Sequence, residues 1–221
     1  SEMCIRDRYI MGLILFFVTK PTVRKRTFFR RYNSSLLRFD LKWLPGIKFI
    51  FINLRNESFD RPAVIMCSNL SILDCLSLIA VVPEVVIYAD RKIKMNPIVE
   101  RVLKWGCYYI VSRKFNGVEE EIGRLVSEGF SIAVFPMRDR KFEDDRIVGL
   151  FEVAPIISRI YNIDLLPVYI DGAHRILPDG TGILNGGKLF MEIGKRILRK
   201  DLSRIAVDRD RYELTFLELC T

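Results

Sequence analysis

Short apolar runs alternate along this chain with segments of helical periodicity, and this alternation constrains the fold more than any other feature. The apolar runs predict strands, and the periodic segments between them predict helices. Such an order predicts an α/β fold with a mostly parallel central sheet flanked by helices. The predicted strands are 47–54, 63–67, 85–88, 107–111, 131–135, 165–170 and 188–193, and the predicted helices are 72–82, 97–105, 118–128, 150–161 and 212–219.

Glycine and proline set the ends of several predicted helices. Gly129 follows the helix 118–128 and predicts a left-handed C-terminal cap. Pro155 is predicted to lie in the first turn of the helix 150–161, where a missing N–H costs nothing.

The composition indicates one folded domain with an anionic partner. Half of the 221 residues are hydrophobic, which is enough for a full core. The net charge of +8 favours a phospholipid surface, a phosphorylated substrate or nucleic acid. Nucleic acid is the weakest of these partners, because the sequence has no zinc spacing, RNA-binding aromatic signature or DNA-reading helix.

The cysteines and the single histidine do not indicate a metal site. The five cysteines are scattered and no pair has metal-ligand spacing, so we predict no metal and a reducing compartment. Cys67, Cys75 and Cys107 lie in apolar runs and are predicted to be buried thiols. His174 lies 105 residues after Asn69, and we expect a structural role near a turn rather than a role as a base.

The N-terminal residues differ in composition from the rest. Residues 1–8 resemble a translated sequencing adaptor, so we exclude them from the fold and expect a metagenomic fragment of a longer protein. Residues 9–45 combine a ten-residue apolar run, too short to span a bilayer, with a basic and aromatic stretch. This composition predicts a membrane-proximal segment on an anionic surface. The alternative is a basic helix packed on its own domain. Residues 46–200 form the predicted main domain, and 201–221 a truncated C-terminal segment.

The stretch from Asn69 to Asp74 follows a predicted buried strand and opens a predicted helix. A polar residue at a strand end, with an Asp five positions later, is a common way for α/β enzymes to hold an oriented base. The base is usually His. Asn69 cannot take up a proton near neutral pH, so the function of the chain depends on this position.

Four sequence blocks at predicted strand ends, where open α/β sheets bind ligands, carry a family resemblance. They are Asn69 to Asp74, Tyr109 to Arg113, Phe135 to Arg140 and Leu166 to Gly172. Together the blocks resemble the phospholipid/glycerol acyltransferase family, which includes the lysophosphatidic acid acyltransferases. The resemblance covers roughly residues 47–197 and is strongest to a bacterial branch in which the domain follows an exporter-like membrane region. It implies a glycerol-phosphate acyltransferase type of α/β fold.

The resemblance assigns roles to residues of the first block. Asn69 stands where the family has its catalytic His, Asp74 stands where the family has the Asp that holds this His, and Ser71 matches a family Ser near the substrate. In the family the His is the general base on the acceptor hydroxyl, and losing such a base typically costs 10²–10⁴-fold in rate.

The resemblance also assigns a substrate-binding role to the third block and to one residue of the second. Met137, Arg138 and Asp139 replace the family's Glu-Gly-Thr, and only Arg140 is retained in this phosphate-binding loop. The alternative for Arg140 is a surface Arg within the charged stretch 138–146. Arg113 stands where many members have a substrate-contacting Arg, although members of the most similar branch vary there.

Two functions follow from these replacements. The family moves an acyl chain from acyl-CoA or acyl carrier protein to a glycerophosphate or lysophospholipid acceptor, without a further cofactor. The first hypothesis is an active but divergent enzyme that uses another base or acceptor. The second, which we favour, is an impaired or inactive relative that binds lipid or serves as a structural domain of a larger membrane protein. The basic flank predicts the cytoplasmic face of the inner membrane, with the domain peripheral or tethered.

Overall fold

A computed structural model of the protein describes residues 23–43, 45–67, 71–89, 103, 109–111, 118–135, 145–178 and 185–201. The helices are α1 (Val23–Trp43), α2 (Ile72–Val81), α3 (Glu119–Ser127), α4 (Asp145–Tyr161) and α5 (Ala173–Ile176). The strands are β1 (Ile47–Ile52), β2 (Ala63–Cys67), β3 (Val85–Ala89), β4 (Tyr109–Val111), β5 (Ser131–Val134), β6 (Asp164–Asp171) and β7 (Gly187–Ile193). The predicted helix 212–219 and all but one residue of the predicted helix 97–105 lie outside the described residues.

The described strands form one sheet in the order β1-β7-β6-β2-β5-β3-β4. All pairs of neighbouring strands are parallel except β6 and β7. Strands β1 and β7 therefore run opposite to the other five. The prediction of an α/β fold with a mostly parallel sheet flanked by helices is confirmed.

Helix α4 differs from the prediction. It begins at Asp145 rather than near residue 150, so Pro155 lies inside the helix and the prediction that it occupies the first turn is wrong. An internal proline removes one helical hydrogen bond and costs roughly 3 kcal/mol. Ala154 and Ile157, on either side of it, are fully buried against the sheet. Burial of this helix face against the sheet offsets the cost, because tertiary packing overrides local propensity.

The sheet is buried on both faces, which explains why its central strands are continuously apolar. Every residue of β2 is buried, and successive side chains point to opposite sides. Ile65 packs in the layer that contains α2, and Val64 packs in the layer that contains α3 and α4. The sheet thereby separates two hydrophobic layers.

Helix α1 is held against the domain by polar side chains that donate hydrogen bonds to backbone carbonyl oxygens at the end of α2 and just after it. The Arg30 side chain, 1% exposed, donates to the carbonyl oxygens of Pro83 (3.3 Å) and Val85 and lies 4.2 Å from the Phe130 ring centroid. Other polar side chains of α1 also reach this end of α2, because the last carbonyls of a helix have no partner within it. The Ala80 oxygen accepts from Ser34 Oγ (3.0 Å), Arg38 Nε (3.1 Å) and Arg38 NH2 (3.0 Å).

Residues 23–43 form a helix that packs on the domain, and contact of the segment 9–45 with a membrane stays a prediction. The buried side of this helix includes Phe29 and Leu41, and Leu41 joins the core beside α2. Within the described ranges, no helix combines the length and the apolar character that a membrane span requires.

Two glycines have backbone conformations that side chains rarely adopt. Gly129 has φ +92° just after α3, which confirms the predicted left-handed C-terminal cap. Gly172 has φ +90° at the end of β6, and a Cβ there would lie 2.0 Å from the Lys188 oxygen. Only glycine allows β7 to approach β6 this closely.

A second polar cluster ties the β1–β2 loop to the segment after β7. Arg196 donates to both carboxylate oxygens of Glu57, at 3.0 and 2.8 Å, and lies 3.5 Å from Asp164 Oδ2. The hydrogen bond from Arg196 holds the pKa of Glu57 below its ordinary value of 4.5, against the opposing effect of burial. The cluster lies where β2 and β6 begin, at the edge of the sheet opposite to their carboxyl ends.

Arg30→Met should lower the free energy of unfolding by about 2–4 kcal/mol, because it leaves buried carbonyl oxygens without their donor. Urea denaturation followed by circular dichroism measures this change. Arg31→Met is the matched control: Arg31 is exposed and pairs with Glu84 on the surface at 3.2 Å. It should change stability by less than about 1 kcal/mol. Equal effects of the two substitutions would contradict the assigned role of Arg30.

Glu57→Gln should lower stability at neutral pH by about 1–3 kcal/mol, the usual worth of hydrogen bonds to charged groups. Because the folded-state pKa of Glu57 is lowered, its contribution is full above 4.5 and is lost as pH falls through the folded pKa. The difference in stability between wild type and variant should therefore be constant above about pH 4.5 and shrink as the pH falls below it. The control Glu128→Gln, on an exposed residue, should show no such dependence on pH. A pH-independent difference for Glu57→Gln would refute the ionic origin.

Candidate functional site

The parallel strands bring three of the predicted motifs to one edge of the sheet. Strands β2, β5 and β3 are neighbours, and Val134 pairs with both Met66 and Tyr88 near their carboxyl ends. Strand β4 ends beside β3, with Val111 opposite Ala89. In the sequence, the first block follows β2 and the third follows β5, whereas the second block begins with β4 itself. The carboxyl ends of the strands that carry these blocks therefore meet at one edge of the sheet.

Several predicted site residues lie outside the described residues, and their assigned roles stay predictions. They are Asn69, Arg113, Met137, Arg138, Asp139 and Arg140. The described part of the site consists of Ser71, Asp74 and the side chains packed around them.

Asp74 is held in the first turn of α2, where the chain leaves β2 and enters the helix. It is 1% exposed. Ser71 is the N-cap, and its hydroxyl oxygen accepts from the Asp74 backbone N–H at 3.2 Å. Ser77 Oγ donates to the Asp74 carbonyl oxygen at 2.9 Å. These bonds fix the start of the helix, and the positive end of its dipole favours a carboxylate there.

A carboxylate buried in this way suits an orienting role. An ionised Asp accepts hydrogen bonds and can hold the side chain of a neighbouring residue in one rotamer and tautomer. Ser71 serves here as the helix cap, while the predicted contact of Ser71 with a substrate stays a prediction. In this arrangement the Asp74 carboxylate can accept a hydrogen bond from a neighbouring side chain. The base that takes a proton from a substrate would have to be another residue.

Two thiols lie next to this carboxylate and do not supply the base. Cys67 and Cys75 are fully buried and unpaired with each other, which confirms the prediction for these two residues. Burial raises the pKa of both thiols well above the ordinary value of 9.0, and the charge of Asp74 raises each further. A thiol with so high a pKa is protonated at neutral pH and is a poor nucleophile or base. Cys107 lies outside the described residues.

His174 is on α5, after β6 and Gly172, and its side chain is exposed. The structural role expected for His174, rather than a role as a base, stays a prediction. Within the described ranges, no group of three or more His, Cys, Asp or Glu side chains is placed to hold a metal ion.

The architecture belongs to the class of α/β folds found in glycerophosphate acyltransferases. One solved structure with this fold is that of the 1-acyl-sn-glycerophosphate (LPA) acyltransferase PlsC from Thermotoga maritima. The superposition has a TM-score of 0.66 at 20% sequence identity and covers 95% of this chain and 87% of that protein. At this identity the likeness establishes the fold. No protein-family profile matches the sequence, and a search of curated proteins finds no match.

Ser71→Ala should lower the free energy of unfolding by about 1 kcal/mol, because it removes the N-cap acceptor of α2. Chemical denaturation measures the loss. Ser127→Ala is the matched control, since Ser127 lies at the C-terminal end of α3, where its exposed hydroxyl donates to the Arg124 carbonyl oxygen. That control should stay within about 0.5 kcal/mol of wild type. If both variants matched wild type, the capping role of Ser71 would be wrong.

Proposed function

We propose that this chain is an acyltransferase-type domain that works at a membrane surface and whose catalytic step is impaired or absent. Its ligands are an acyl thioester, from acyl-CoA or acyl carrier protein, and a glycerophosphate or lysophospholipid acceptor. The proposal rests on one observation. The chain has the fold of an LPA acyltransferase, and in this fold Asp74 is buried at the start of α2, five residues after Asn69.

The chemistry of acyl transfer explains why Asn69 matters. The acceptor hydroxyl attacks the thioester carbonyl, and a base must take the hydroxyl proton as the new C–O bond forms. The thioester C–S bond then breaks, and the sulfur leaves with a proton as the thiol of CoA or of the acyl carrier protein. Histidine can do this when a carboxylate holds its other ring nitrogen, as in hydrolase triads. An amide at position 69 can donate to the Asp74 carboxylate, but it cannot accept the proton.

The third block supports the same proposal independently. Met137 removes a carboxylate from the family pattern, and Arg138 replaces a glycine that permits close approach of the backbone to a ligand. Arg140 keeps a cation suited to a phosphate group. Two separate blocks have thus lost catalytic or loop-forming residues while the fold is retained.

The surface of α1 favours a peripheral membrane location. Phe28 and Trp43 are 65% and 64% exposed, Phe39 is also exposed, and the basic residues Arg31 and Lys42 lie on the same helix. Exposed aromatics beside cations are typical of helices that lie on an anionic membrane. We therefore propose that the domain binds the cytoplasmic face of the inner membrane, peripherally or tethered to an upstream membrane region.

Co-sedimentation with anionic vesicles that is lost in high salt would support this location.

A reversion experiment tests the catalytic proposal. Wild-type protein, mixed with a long-chain acyl-CoA and lysophosphatidate, should release CoA at the rate of the protein-free blank. The variant with Asn69→His, Met137→Glu, Arg138→Gly and Asp139→Thr should release it at least ~100-fold faster, because the general base is restored.

The matched control adds Asp74→Asn to the reverted protein and should abolish the gain, since the restored His then lacks its orienting carboxylate. The alternative of a divergent active enzyme predicts the opposite pattern. It would be established by wild-type turnover that Asp74→Asn removes.

A further inference from the structure

A large open cavity lies between α1 and β1, apart from the site around Asp74. Its volume is about 1370 Å³, and neither Ser71 nor Asp74 lines it. It is bounded by one side of α1, by β1, by the turn before β3 and by the loop before β5. The residues that carry the argument are Arg38, Lys42, Lys48, Phe49, Phe51 and Phe59.

Three cations contribute positive charge to this cavity. Arg38 and Lys42 are one helical turn apart and lie on the same side of α1. Lys48 also lines the cavity, but its side chain leaves β1 on the side opposite to Phe49 and Phe51, at the free edge of the described sheet. Among the described residues, no carboxylate forms an ion pair with any of the three. Three acidic residues also line the cavity, Asp60, Glu84 and Glu128, and Glu84 is paired with Arg31. Against them stand six basic lining residues: Arg30, Arg31, Arg38, Lys42, Lys48 and Arg124. The cavity therefore offers a net positive field to an anion.

Aromatic rings form the floor of the same cavity. Phe49 and Phe51 point to one side of β1, and their stacked ring centroids lie 6.3 Å apart. Phe51 is 41% exposed, and Phe59 packs against the adjacent core. The six residues of β1 extend over about 17 Å. This length is close to half of the roughly 30 Å hydrocarbon core of a bilayer, which is the depth of one fatty chain.

We infer that this groove is a binding site for a single-chain anionic amphiphile. The alkyl chain lies along Phe49, Phe51 and Phe59, and the phosphate or carboxylate head contacts Lys42 and the N–H groups of Arg38 that do not donate to Ala80. Lys48 adds positive charge from the edge of the sheet. A small anion would leave the aromatic floor in water, and a neutral chain would leave the three cations without a counter-charge. The site is separate from Asp74, so it needs no acyl-transfer activity.

Isothermal titration calorimetry with monomeric dodecyl phosphate, below its micelle concentration, tests the inference. Wild-type protein should bind it, and should bind inorganic phosphate and dodecyl maltoside at least about ten times more weakly. Lys42→Gln/Lys48→Gln should weaken the binding of dodecyl phosphate about tenfold. Phe51→Ser should also weaken it several-fold, since it removes apolar contact area. All three substituted side chains are exposed, so folding should be unaffected.

The double variant Lys195→Gln/Arg199→Gln is the matched control, because it removes the same charge from exposed positions outside the groove. It should bind dodecyl phosphate within about twofold of wild type. Absence of binding to wild-type protein, or equal weakening in both double variants, would overturn the inference. The inference would also be overturned if dodecyl maltoside bound as tightly as dodecyl phosphate.

Competition identifies the natural source of the amphiphile. Displacement of dodecyl phosphate by anionic phospholipid vesicles would indicate a lipid drawn from the bilayer, and displacement only by monomeric lysophosphatidate would indicate a dispersed ligand. If neither competes at saturating concentration, the inferred ligand class is wrong. Binding of dodecyl phosphate is measured without any acyl-transfer assay, so failure of this inference and failure of the proposed function are distinguished.

Discussion

The buried guanidinium of Arg30 is the interaction on which the arrangement of this domain depends. A charge that is 1% exposed is tolerated only when hydrogen bonds replace its water. The carbonyls of Pro83, just after α2, and of Val85, the first residue of β3, provide them. This contact holds α1 against the end of α2 and places Leu41 in the core. The groove between α1 and β1 exists because α1 is held there.

The second constraint is the parallel sheet, which brings the carboxyl ends of β2, β5, β3 and β4 to one edge. Asp74 lies at that edge, buried at the start of α2. Under the proposed function, the acyltransferase fold is retained while Asn69 supplies no proton acceptor. This combination is why we place the function in lipid binding at a membrane rather than in turnover.

Helix α2 connects the two regions. Its first turn carries Asp74, and Val81 near its last turn lines the groove under α1. Much of α2 is buried, including Leu78 and Ile79, so both ends are fixed by the same core. A ligand in the groove and a ligand near Asp74 would therefore contact opposite ends of one rigid element.

The sequence by itself determined the alternation of strands and helices, the left-handed cap at Gly129, the burial of Cys67 and the place of Asp74 at a helix start. These features follow from periodicity and local backbone chemistry, which neighbouring residues specify. Only the tertiary structure decided the reversed direction of β1 and β7, the docking of α1 and the ion pair between Glu57 and Arg196, which are 139 residues apart. It also placed Pro155 inside α4. Such features depend on contacts between distant residues, and local patterns do not specify which distant residues meet.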